Sequence, residues 1–235
     1  MRLDKFISSQ RTDLSRNDVK ALVKKGLVTV NGQKAKKADM QLDESSALVA
    51  VGGEEIVYRK NLYLMLNKPQ GVVCSTKEGE CPTVIDIIPE EYRREGLFPA
   101  GRLDKDTEGF VLLTDDGQLA HRMLSPKSHV PKTYFVRLER PWELSYKEKF
   151  ENGMTIDGGE KCLPAQFIPK QEPNECELIL HEGKFHQVKR MFEALGNKVV
   201  YLKRIKIGAL ALDEKLPLGG VLEIMHKDVE RLQSQ

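Results

Sequence analysis

Short apolar runs of strand length outnumber helical repeats in this chain, and the two do not alternate. Runs at 62–66, 111–114, 133–138, 176–180, 198–203 and 221–225 have the length and composition of strands. Helical spacing in the same stretch is confined to 117–124, 143–151, 185–195 and 227–233. A parallel sheet needs a crossover helix after nearly every strand, so this order predicts an α+β fold with a mixed sheet.

The 235 residues suffice for a small domain and a medium one. With 40% hydrophobic and 31% charged residues, the chain has the make-up of a globular protein rather than a disordered one. No apolar run approaches the roughly 20 residues that cross a bilayer. The opening MRLDKFISSQ carries charges where a signal peptide needs its apolar core, so a cytoplasmic protein is expected. Cys74, Cys81, Cys162 and Cys176 form no C-x-x-C pair and have no histidine at zinc spacing, so four free thiols and no metal site are expected.

The net charge of +2 conceals a division. Residues 1–37 hold ten Lys or Arg against three Asp or Glu, leaving the remainder mildly acidic. A compact basic segment on an acidic body suits a polyanion-binding module. Leu3, Phe6 and Ile7 predict a first helix, and Ser15-Arg16-Asn17-Asp18 predicts the capping box of a second, with Val19, Leu22 and Val23 as its apolar face. Gly26 suits its left-handed terminus, 27–30 reads as a strand, and Asn31-Gly32 as a tight hairpin turn. Arg16, Lys20 and Lys24 stack along one helix face, joined by Lys25 and, past the turn, by Lys34, Lys36 and Lys37. Like charges four apart destabilise a helix slightly unless a phosphate backbone neutralises them. The pattern breaks around Gly52-Gly53-Glu54-Glu55, where the linker is expected, and Tyr58-Arg59-Lys60 leads into a new strand.

The string RLDKFISSQ…SRNDVKALVKKGLVTVNG resembles an S4 domain, a small RNA-binding fold, over residues 1–58. In the larger part, Gly101 and Gly109 bracket a threonine and five charged residues between two apolar strands. By composition such a loop is either a solvent turn or a site. The segment GRLDKDTEG (101–109) resembles the signature of the RsuA-type pseudouridine synthases, which act on ribosomal RNA. LNKPQGVVCST (66–76), Lys132-Thr133-Tyr134 and EGKFHQVKRMF (182–192) resemble further motifs of that family in order and spacing. Phe110 departs from it where leucine is usual. The resemblance implies an α+β chain with an S4 (α-L-like) RNA-binding domain at 1–58. A catalytic domain at 59–235 follows, with a mixed, mainly antiparallel sheet flanked by helices and loops.

Pseudouridylation breaks the uracil N1–C1′ bond, turns the base and rejoins it through C5. Nothing is added and no redox change occurs, so no cofactor is required. The resemblance assigns the essential carboxylate to Asp104, acting as nucleophile or as base; the residues leave both open. A nearby cation would keep it ionised in a dry cleft. Val188, Met191, Phe192 and Leu195 define the core face of the 185–195 helix, which puts Lys189 on its shoulder as that cation and turns Arg190 towards solvent and RNA. The resemblance places Tyr134 against the flipped base, where it can stack. Arg102 is expected to contact phosphate or the rearranged loop, and Lys68 to bind RNA or help shape the cleft. Asp106 and Asp115 are expected as turn or cap residues, and His121, His129, His181 and His186 at the surface or on RNA.

HQVKRM (186–191) is closer to the small-subunit branch of the family than to the large-subunit branch, where R-R-M is commoner, and no long basic tail follows the last helix. That implies uridine 516 of 16S rRNA, read in a partly assembled small subunit by a monomer that touches no membrane. The alternatives are a 23S rRNA synthase, a non-catalytic S4-type assembly factor, which would have lost the Asp at 104, and a metal-dependent nuclease built on Asp104, Asp106 and Asp115.

Overall fold

The computed structural model describes residues 1–77, 79–125 and 128–234. Its contacts divide the chain into two compact units, one of 1–61 with 89–96, the other of 62–88 with 97–235.

In the first unit, α1 (Leu3–Gln10) and α2 (Arg16–Lys24) pack Leu3, Phe6, Ile7, Val19 and Val23 on a small sheet. The Ser15 hydroxyl accepts from the Asp18 N–H and the Asp18 carboxylate accepts from the Ser15 N–H, so the expected capping box is formed. Strands β1 (Val28–Val30), β2 (Gln33–Lys34), β3 (Val49–Val51) and β4 (Glu54–Ile56) lie in the order β2-β1-β3-β4. Asn31 and Gly32 both have positive φ, as a two-residue hairpin turn demands. Residues 52–55, expected to open the linker, instead turn and continue a hairpin: Gly52 and Gly53 take positive φ and β4 pairs back on β3. Glu54 and Glu55 are exposed edge residues, which is why their polarity resembled a loop.

The second unit contains β5 (Tyr63–Lys68), β6 (Phe98–Ala100), β7 (Glu108–Thr114), α3 (Gly117–Leu124), β8 (Lys132–Leu138) and α4 (Ser145–Glu151). There follow β9 (Thr155–Ile156), β10 (Glu160–Lys161), β11 (Gln166–Pro169), β12 (Glu175–Leu180), α5 (Gln187–Ala194) and β13 (Val199–Ile207). The chain closes with β14 (Leu210–Ala211), β15 (Val221–Glu223) and α6 (His226–Val229). Nine strands form one sheet with the path β11-β12-β8-β13-β7-β5-β15. Only the β7–β13 pairing is parallel, so the sheet is mixed and mainly antiparallel as expected.

Apolar side chains of β5, β7, α3 and the C-terminal turns, among them Met65, Phe110, Leu112, Leu119 and Leu232, form one buried cluster. Tyr146, Phe150, Phe167 and Phe192 stack and meet edge-on to join α4, β11 and α5. Phe110 is fully buried, so the exchange of leucine for phenylalanine there is one apolar filling for another.

Candidate active site

The loop from Gly101 to Thr107 joins β6 to β7 and is tied down from several directions. Lys68, at the end of β5, is fully buried, and its ammonium donates to the carbonyls of Pro69 (2.9 Å), Lys105 (3.3 Å) and Thr107 (2.8 Å). Gly71 N–H donates to the Lys105 carbonyl (2.9 Å), and Leu103 N–H donates to Cys74 Sγ (3.3 Å). The segment 66–76 is therefore the anchor of the 101–109 loop. The Lys68 ammonium has no exposed face, and three carbonyls occupy it. Burial pushes its pKa below the usual lysine value.

Asp104 projects from this loop into a cleft of about 650 Å³ lined by residues of the loop, of 183–188, and of β8 and β13. Lys189 Nζ lies 3.4 Å from one Asp104 oxygen and 2.6 Å from Asp106 Oδ1. The shoulder position on α5 thus brings its ammonium to the Asp104 carboxylate. Asp106, expected as a turn residue, is the tighter partner. Its carboxyl is held below the usual range, first by the Lys189 hydrogen bond. His186 Nε2 sits 3.6 Å from the other Asp104 oxygen. The αL backbone of His186 (φ 48°) carries it there, a conformation that a sequence pattern does not disclose.

Tyr134 is nearly buried and lines the cleft, and Arg102 is exposed at its loop. Arg190, expected towards solvent, is instead held against the surface and largely covered: its guanidinium binds Asp157, Glu160 (2.8 Å) and the Phe185 carbonyl (3.1 Å). The 155–161 hairpin folds back over α5 and supplies those acids. Asp115 accepts from Leu62 N–H (2.9 Å), and Asp116 caps α3 through the N–H groups of Gln118 and Leu119. The ammonium of Lys189 stands between Asp104 and Asp106, where a nuclease would need its metal. Among the described residues no three His, Cys, Asp or Glu gather as metal ligands.

Arg204 and Lys132 also line the cleft, Arg204 unmarked by any sequence pattern and Lys132 marked only as the first residue of the K-x-Y resemblance. Arg204, on β13, is 4% exposed and donates through Nε to the Phe110 carbonyl at 2.8 Å. Lys132, on β8, has its pKa pushed down to about 8, first by burial and then by Arg204. Above that value the folded protein has released a proton that the unfolded chain keeps until about 10.5, so this residue's contribution to stability rises with pH across that window. The stability of wild type minus that of Lys132→Met, from urea unfolding, is expected to climb between pH 8 and 10. A flat difference would show that the lysine is not desolvated.

On the first unit, Arg16, Lys20, Lys24 and Lys25 are all exposed on or just after α2, with Lys34, Lys36 and Lys37 exposed beyond the hairpin turn. This is a basic face free to meet phosphates.

A family model described as RNA pseudouridylate synthase matches residues 62–194, and a model of the S4 domain matches residues 1–48. The chain belongs to the RNA pseudouridylate synthase family. The synthase is 47% identical to an uncharacterized RNA pseudouridine synthase, YtzG, of Bacillus subtilis, over 99% of this chain and 98% of that one. It is 43% identical to the ribosomal small subunit pseudouridine synthase A of Vibrio cholerae (97% and 98% covered) and 40% identical to that of Haemophilus influenzae (99% of each). A crystal structure of a pseudouridylate synthase, 39% identical, superposes with a TM-score of 0.70 over 99% of each chain. The protein is thus an RNA pseudouridine synthase carrying an S4 domain. No helix among the described residues is long and apolar enough to cross a membrane.

Proposed function

We propose that this synthase isomerises one uridine of ribosomal RNA, uridine 516 of 16S rRNA, and meets it in a partly assembled small subunit. The observation that carries the reading is the Asp104–Lys189 pair, 3.4 Å apart, at a cleft also lined by Tyr134. A carboxylate held beside an ammonium stays ionised and able to attack C1′ or take a sugar proton. Tyr134 receives the flipped base, and Arg102 meets the backbone phosphate. Residues 59–235 supply the chemistry and the choice of site; residues 1–58 supply affinity through Arg16, Lys20, Lys24 and Lys25. The relatives named for the small ribosomal subunit, matched over nearly their whole lengths, support 16S rRNA over 23S rRNA. The protein acts as a monomer in the cytoplasm.

Each turnover replaces the uracil C5–H bond by C5–C1′, so tritium placed at C5 is released. Release is expected from 16S rRNA in assembling subunits, in the presence of EDTA, and should map to uridine 516. Release from 23S rRNA alone, or from neither RNA, would sink the proposal. Neutralising Arg16, Lys20 and Lys24 together is expected to raise KM about tenfold or more while kcat stays within about twofold. An equal loss in kcat would move those residues from affinity to catalysis.

A further inference from the structure

Of the cations that line the cleft besides exposed Arg102, Lys184 pairs with Glu160 and Glu182, whereas Lys132 and Arg204 have no carboxylate partner among the described residues. In the strand register Arg204 of β13 lies opposite Tyr134 of β8. Lys132 precedes Tyr134 by two residues and shares its face. All three line the cleft.

Arg204 is fixed. Its Nε donates to the Phe110 carbonyl at 2.8 Å and its Nη1 to the Arg102 carbonyl at 3.4 Å. Its Nη2 is buried with no partner. Lys132 has no hydrogen-bond or ion-pair partner among the described residues, and the charge that acts on it is the like charge of Arg204. Asp104, the carboxylate that lines the cleft, faces Lys189 instead, as does Asp106 outside it. Two desolvated cations without a counter-ion weaken the fold, so their presence marks a place built for negative charge.

We infer that Lys132 and Arg204 hold the oxygens of the target uracil and stabilise the negative charge it bears while detached from the ribose. This rests on the pseudouridylation reading. When N1–C1′ breaks, its electron pair stays with the uracil and spreads over N1, O2 and O4. The ring then bonds through C5 to C1′, C5 loses its proton and N1 gains one, so atoms and charge balance. Donors fixed in advance, in a site closed to water, stabilise such an anion more than the neutral base that precedes it. Depth favours the base over a phosphate. Arg204 is almost wholly enclosed and adjoins the ring that receives the base, whereas Arg102 and Lys105 offer exposed charge on the loop for the backbone.

The test is Lys132→Met, with Lys132→Arg as the conservative counterpart, assayed by tritium release and by RNA binding across salt concentrations. Lys132→Met is expected to lower kcat on the order of 100-fold, leave the RNA dissociation constant within about twofold, keep the salt dependence and raise the melting temperature. Lys132→Arg should recover most of the rate. An unchanged kcat would overturn the inference. So would weaker binding with a shallower salt dependence, which assigns Lys132 to a phosphate. If wild type itself releases no tritium, it is the pseudouridylation reading that fails.

Discussion

Asp104→Asn is expected to abolish tritium release, with a loss of roughly ten-thousand-fold or more in kcat, while RNA binding stays within about twofold. Asparagine has the shape of aspartate but can neither attack C1′ nor accept a proton at neutral pH. The fold should not notice the change. Asp104 is half-exposed and tied to its surroundings mainly by the 3.4 Å contact with Lys189, which keeps the closer Asp106 at 2.6 Å. The loop is held through backbone groups instead: the carbonyls of Arg102, Lys105 and Thr107, and the N–H of Leu103. A variant that retains more than about one-hundredth of the wild-type rate would remove Asp104 from the chemistry. A variant that melts early would show that its charge is structural, and either result would redirect attention to Asp106.

What the sequence disclosed and what it hid divide along the range of the interactions. The capping box of α2 and the Asn31-Gly32 turn depend on neighbours within a few residues, and both are legible in the string. Lys189 could be placed because the apolar residues around it set the orientation of α5. Arg204 could not. It sits in the alternating run LKRIKI, where an arginine reads as the solvent side of a strand, and the carbonyls that receive it belong to residues about a hundred positions earlier. The start of β7 lies outside the apolar run for a similar reason: Glu108 is too polar for a buried strand until Tyr201 donates its hydroxyl to the carboxylate at 2.6 Å. Arg190 was turned the wrong way because the acids that hold it, Asp157 and Glu160, lie in a hairpin with no apolar signal of its own. The three site segments showed their membership through resemblance, and the geometry adds a physical reason for their company. Residues 66–76 anchor the 101–109 loop, and α5 neutralises what that loop presents.

Gly109→Ala is expected to be the most damaging single-methyl change in the second unit. Gly109 has φ 104°, a region that costs an L-residue about 1–3 kcal/mol. A Cβ there would lie 2.2 Å from the Arg204 carbonyl oxygen and 2.8 Å from its nitrogen. Those are backbone atoms of β13 in the single parallel pairing of the sheet, where Arg204 and Gly109 are in register, so no side chain can swing aside. Parting the strands adds roughly another 1–3 kcal/mol of overpacking. Urea unfolding should therefore register a loss of about 2–6 kcal/mol, a large share of the stability of an ordinary domain. Gly117→Ala is the control: it opens α3, has ordinary φ and meets nothing within 4 Å, so it should be neutral or slightly stabilising. Equal, small effects at the two positions would mean that β7 and β13 can separate freely. They cannot do so and keep the site, since the same seam carries Arg204 to the carbonyls of Arg102 and Phe110, on either side of Asp104.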